Sequence, residues 1–246
     1  MKYDRRLLSV LFVVLGILCA CQVNNKESLV DENLQDAPIE IIEQIVIEVP
    51  LGNSPAIDGV IEPKEWEDAV STTFSDNSEL LILSDAEYLY IGIREQTGEM
   101  IAVNIFINRD NGISVLHSSA ALGTAAYLQK NNTWIKTRDF EWCCRHTNSS
   151  NQAIKDLEDQ LETEYWVASN SRRGAPNEVE YQIKITGDEL NIAVSFLLAS
   201  DPNHKTPWPA DLDDDCIKLT PGGFPEEMVF DPSRWGLLYI DFYDEN

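Results

Sequence analysis

From Gln44 onward the chain is a series of short β-branched or alternating apolar runs, cut by clusters of Gly, Pro, Asn, Asp and Ser. A period of two between such breakers predicts strands. "EQIVIEV", "VSTTFS", "SELLILS", "EYLYIGIRE" and "MIAVNIFINR" give five in succession, with "SDAE" and "NRDNG" as hairpin turns. Residues 117–146 hold two more, joined at "KNN"; "TEYWVASNS", "EVEYQIKI", "NIAVSFLLAS" and "RWGLLYIDFYD" follow. Residues 151–162, "NQAIKDLEDQLE", suit a short surface helix, and "DPNHKTPWPADLDDDCIKLTPGGFPEEM" (201–228) reads as a long loop. About ten strands with one or two short helices predict an all-β fold, an immunoglobulin-like antiparallel β-sandwich. In "IDGVIEPKEWEDA" (57–69), Pro63 opens an acidic helical turn that sets Trp66 and Ala69 on one face. That face is expected to cap the sandwich, with Trp66 buried in its core.

The N-terminus stands outside this pattern. Lys2, Arg5 and Arg6 precede an apolar stretch from Leu7 to Leu18, the layout of an export signal. Leu18-Cys19-Ala20-Cys21 resembles a bacterial lipobox, which implies removal of residues 1–20 and lipidation of Cys21. Acyl chains would hold the protein to a membrane while its domain stays in water. Gln22 in place of Asp points to the outer membrane of a bacterial envelope. Residues 21–43 read as an acidic tether, and 44–246 as one folded domain. Losing Lys2, Arg5, Arg6 and Asp4 takes away a net +2, so the charge of −24 becomes −26. Such a charge argues against nucleic acid or an anionic lipid surface as partner.

Three cysteines would remain, Cys143, Cys144 and Cys216, in a compartment that permits disulfides. Strand neighbours point to opposite faces, so one of the adjacent pair can reach Cys216. Phe140, Trp142 and Cys144 share a face read as buried, and a Cys144–Cys216 bridge is expected.

"IDGVIEPKEWEDA" followed by "EYLYIGIRE" resembles the start of carbohydrate-binding module family 9 and its DOMON-like relatives. "EVEYQIKI-TGDEL", "NIAVSFLLASD", the "TPWP" loop (206–209) and "RWGLLYIDF" resemble its later pieces, in order. The resemblance covers most of residues 54–243, and the region 113–175 departs from it. It implies a DOMON-like sandwich that binds saccharide without making or breaking bonds, and so is not an enzyme.

Sugar binding needs exposed aromatic faces and polar side chains that reach hydroxyls. Trp208, held between two prolines, is the leading candidate for contact, with loop packing as its alternative. Trp134, Trp166 and Arg109 are further candidates; Trp142 and Trp235 are read as core. Asp211, Asp213, Asp214 and Asp215 would be the place for calcium, but they lack a cation-loop spacing and read as a solvated acidic loop. No cofactor is otherwise expected. The second class is a structural or interaction domain contacting other envelope proteins. A third, a haem-binding DOMON-like protein, would draw on Met100, Met228, His117, His146 or His204.

Overall fold

Among the described residues, fourteen strands form two packed sheets, most of them where the period-two runs stand, with one α-helix beside them. The structure is a computed structural model that describes residues 43–110, 112–144, 151–170, 175–218 and 224–240. The chain divides into two compact units, Met1–Ile41 and Ile42–Asn246, and all described residues belong to the second. The segments read as an export signal and, but for Glu43, as a tether, with Cys21 among them, therefore lie outside the described residues.

The larger sheet contains β1 (Val46–Val49), β5 (Ile101–Arg109), β6 (Gly112–Ser118), β7 (Leu122–Lys130), β8 (Thr133–Cys143), β11 (Glu189–Leu198), β12 (Thr206–Trp208), β13 (Glu227–Met228) and β14 (Gly236–Ile240). Its order is β1-β14-β11-β5-β6-β7-β8-β13, with β12 also on β11, and β1 runs parallel to β14. The smaller sheet contains β2 (Val70–Thr73), β3 (Glu79–Ser84), β4 (Tyr88–Arg94), β9 (Trp166–Asn170) and β10 (Glu178–Lys184), in the order β2-β3-β4-β10-β9. The expected all-β sandwich is what the structure has, with one parallel edge pair. The strands beyond those anticipated are β6 and the short β12 and β13.

Local chemistry explains the turns. Asp85, after β3, accepts from the amides of Glu87 and Tyr88 at 2.7 Å each, closing the β3–β4 hairpin. Asn131 and Asn132 both adopt positive φ, 53° and 64°, as a two-residue hairpin between β7 and β8 requires. The helix α1 (Asn151–Glu164) packs Leu157 and Leu161 against the main core. It stops at Tyr165, whose φ is 63°.

The space between the sheets is filled by alternate residues, such as Val103, Ile105 and Ile107 from β5 against Ile91, Ile93, Val179 and Tyr181. Both sheets are also covered outside. Trp66 is buried as expected, at 4% exposed, but it packs with Ile61, Leu83 and Tyr90 on the outer face of the smaller sheet and not in the core between the sheets. Its indole donates to the Glu180 carboxylate at 3.0 Å, which also accepts from the amides of Asp58 and Gly59. On the larger sheet, Leu212, Cys216, Met228, Phe230 and Trp235 lie over Phe106, Val115 and Tyr127 as a second core.

That outer layer corrects the reading of its acids. Asp214 and Asp215 are buried, not solvated. Asp214 accepts from the Cys216 amide (2.9 Å), the Asp231 amide (3.0 Å) and the Trp235 indole (2.9 Å). Asp215 accepts from the Val229 amide at 2.7 Å, and Asp213 pairs with Arg234. The disulfide assignment is corrected too. Cys143 is bonded to Cys144, while Cys216 is a free thiol, fully buried in the second core. β8 ends at Cys143 and Cys144 turns off at a φ of 39°, so it no longer shares the face of Phe140 and Trp142.

Candidate functional site

Of the tryptophans proposed as sugar contacts, none offers a face to solvent. Trp208 is 1% exposed, between the sheets, with its ring against Gly236. Trp166, also buried, stacks on Tyr181 at 5.8 Å and donates to the Thr124 hydroxyl at 2.9 Å. Trp134, buried in the second core, donates to the Phe230 carbonyl at 3.0 Å. Trp235 is core, as expected. Trp142, expected in the core, is 60% exposed.

Two irregularities in β8 precede Trp142. β8 pairs with β7 as Tyr127↔Lys136, Ala126↔Arg138 and then Thr124↔Glu141, so β8 accommodates two extra residues, one at Thr137 and one at Asp139–Phe140. The second slip puts Arg138 and Glu141, three apart, on one side, where regular alternation would separate them. Trp142 pairs with Gly123, and a side chain there would meet Phe140 at 2.9 Å and Trp142 at 3.1 Å. Glycine therefore lets both rings lie on the sheet. They stack at 5.2 Å and 21°, with His117 edge-on to Trp142 at 5.3 Å. His117 is fixed in turn by Asn104 at 2.8 Å and Ser119 at 2.9 Å. Burial holds its pKa down at about 4, so the ring is neutral around pH 7.

The polar centre is an ion pair. Arg138 from β8 meets Glu164, the last residue of α1, through two bonds of 2.7 and 2.6 Å, and reaches Glu141 at 3.1 Å. The paired guanidinium keeps the Glu164 carboxyl below its usual range. A groove of about 330 Å³ runs on one side of the pair, bordered by Trp142, Glu141 and α1. A hollow of about 250 Å³ lies on the other, bordered by Arg109, Ser114, Tyr165 and the edge of Trp166. Arg138, Thr163 and Glu164 border both. Tyr165 is 53% exposed. The larger sheet extends past the smaller sheet's edge strand β9 through β7 and β8, and this margin carries the site. An exposed aromatic thus stands at each end of a polar pair. Arg109 and Trp166 meet here, and Trp134 and Trp208 do not contribute.

The haem residues come together poorly. His117 spends both ring nitrogens on Asn104 and Ser119, Met228 is in the second core, Met100 and His204 are exposed, and His146 lies outside the described residues. Among the described residues no three of His, Cys, Asp and Glu are grouped to hold a metal.

No protein-family model matches the chain, and no curated protein does. Two solved structures are similar to it. A carbohydrate-binding module family 9 from Caldicellulosiruptor kristjanssonii, in complex with cellotriose, shares 17% identity over 83% of this chain and 96% of its own, with a TM-score of 0.41. A "putative carbohydrate-binding protein" from Bacteroides uniformis shares 12% identity over 81% of this chain and 100% of its own, with a TM-score of 0.42. At such scores neither likeness places a ligand on this chain, and the site is read from its own residues.

Proposed function

We propose that the chain is a lipoprotein of the bacterial cell envelope whose sandwich binds saccharide non-covalently along the margin between β8 and α1. The observation that carries this reading is the placement of exposed Trp142 and Tyr165 on either side of the Arg138–Glu164 pair. Aromatic faces would take the C–H faces of sugar rings, and the ion pair and Thr163 would reach hydroxyls. The opening motif's resemblance to carbohydrate-binding module family 9 supports the same class, and the lipobox supports the anchor. Binding by stacking and hydrogen bonds needs no bond to be made or broken.

The test is a fluorescence titration of the chain against a panel of oligosaccharides, repeated with Trp142→Ala. A binder should change tryptophan emission, and the variant should lose roughly tenfold or more in affinity, as for loss of a stacked ring. Its thermal midpoint should stay near that of the parent, because the ring is exposed. A panel without a binder, or a binder indifferent to Trp142, would contradict the site. The anchor has its own test: Cys21→Ser should abolish labelling by a palmitate analogue in the producing cell.

A second reading, an interaction domain without sugar affinity, draws on the burial of Trp208 between the sheets. The exposed aromatics at the β8 margin favour the first reading, and the same panel decides between them.

A further inference from the structure

Arg109 differs from the other arginines of the described residues in having no carboxylate. Arg94 faces Glu79 and Glu178, Arg138 faces Glu164 and Glu141, and Arg234 faces Asp211 and Asp213. The chain has 42 acidic side chains against 18 basic ones, so partners are abundant. Arg109 nevertheless makes one hydrogen bond, from Nη2 to the Lys184 carbonyl at 3.1 Å, and its buried Nε has no partner. The last residue of β5, it is fixed by its pairing with Gly112 across the hairpin. It borders the hollow that Arg138, Tyr165 and Trp166 also border.

A guanidinium taken from water without a counter-ion is costly, and its planar fork fits an oxyanion better than a hydroxyl. We infer that this hollow takes the anionic group of an acidic saccharide, a uronate carboxylate or a sugar sulfate, on Arg109. The inference rests on the proposed saccharide site and names the class of sugar it selects. Glu164 does not oppose it, because both its oxygens are engaged by Arg138. Two arginines against one glutamate leave the lining net positive. The net charge of −24 acts from farther away and is screened over about 8 Å at physiological salt. Burial alone lowers the Arg109 pKa, the cost that a bound anion would relieve. A neutral sugar would leave the charge unpaired, and this mismatch is the source of selectivity.

The test is calorimetry on the whole chain with glucuronate, galacturonate and glucose 6-sulfate, their parents glucose and galactose, and acetate and inorganic sulfate as sugar-free anions. An acidic sugar should bind roughly tenfold or more tighter than its parent, the scale of one charge-assisted bond. Uronate against sulfate identifies the anion. In Arg109→Gln that ratio should fall to near one. Because that variant could fail to fold, the unaltered protein provides a second readout: added salt should weaken the acidic sugar and spare the neutral one. Equal affinity for acid and parent, a ratio unchanged in Arg109→Gln, or sugar-free anions binding as tightly as acidic sugars would each overturn the inference. Neutral sugars bound through Trp142 with no preference for the acid would end the inference and leave the saccharide site standing. No binding by any sugar would end both.

Discussion

Asp214 shows what single residues do here. An acidic run read as solvated supplies one carboxylate that ties three N–H groups of the outer layer together. Residue type was legible in "DLDDD", but burial was not, because the partners lie up to 21 residues away at Trp235. Asp214→Ala leaves buried donors unsatisfied and should cost about 3 kcal/mol in urea unfolding. Asp213→Ala, at an exposed pair, should cost less than about 1 kcal/mol. Equal losses would show that the layer is not held through Asp214. The tryptophans teach the same lesson. Trp66 and Trp235 could be read as buried from their local motifs, whereas the rigid "PWP" setting suggested display for Trp208 and the fold buries it against Gly236.

At the scale of elements, legibility followed the regularity of the strand. The β7–β8 hairpin was readable from "KNN", since two asparagines tolerate the positive φ that the turn needs. The two slips in β8 were not, because each extra residue resets which side chains share a face. They cancel at Trp142, which shares the outer face of Trp134 but lies outside the second core that buries Trp134. β6, "GISVLHS", was not read as a strand; its alternation of half-buried and buried positions breaks at Val115–Leu116, both buried. A further element-level consequence lies between β10 and the segment bearing Trp66. Burial raises the Glu180 carboxyl to about 7, although three N–H donors favour its charge. The folded state therefore holds the proton more tightly than the unfolded chain, whose carboxyl titrates near 4.5. This stabilisation is complete below about pH 4.5 and is lost as pH rises through 7. Relative to Glu180→Gln, the parent should lose about 3 kcal/mol between pH 4.5 and 7.5 in urea titrations. A difference that does not vary with pH would contradict it. His117, with its pKa lowered, acts in the opposite direction in both proteins and cancels in the comparison.

For the whole molecule, the unequal sizes of the two sheets matter most. A nine-stranded sheet outreaches a five-stranded one, and α1 closes the gap only in part, leaving the groove at the β8 margin. The sandwich was legible because alternation and turn residues are local signals. The site was not, because it joins β8 and α1, both inside the stretch 113–175 where the resemblance fails, to Arg109 at the end of β5. Its central claim is that Trp142 is the displayed tryptophan. Oxidative footprinting of the native chain by mass spectrometry, with and without a bound oligosaccharide, tests this directly. Trp142 should be the tryptophan that oxidises fast, the other five being 4% exposed or less, and saccharide should protect it. Fast oxidation or saccharide protection at Trp208 or Trp134, with Trp142 unaffected, would contradict the account.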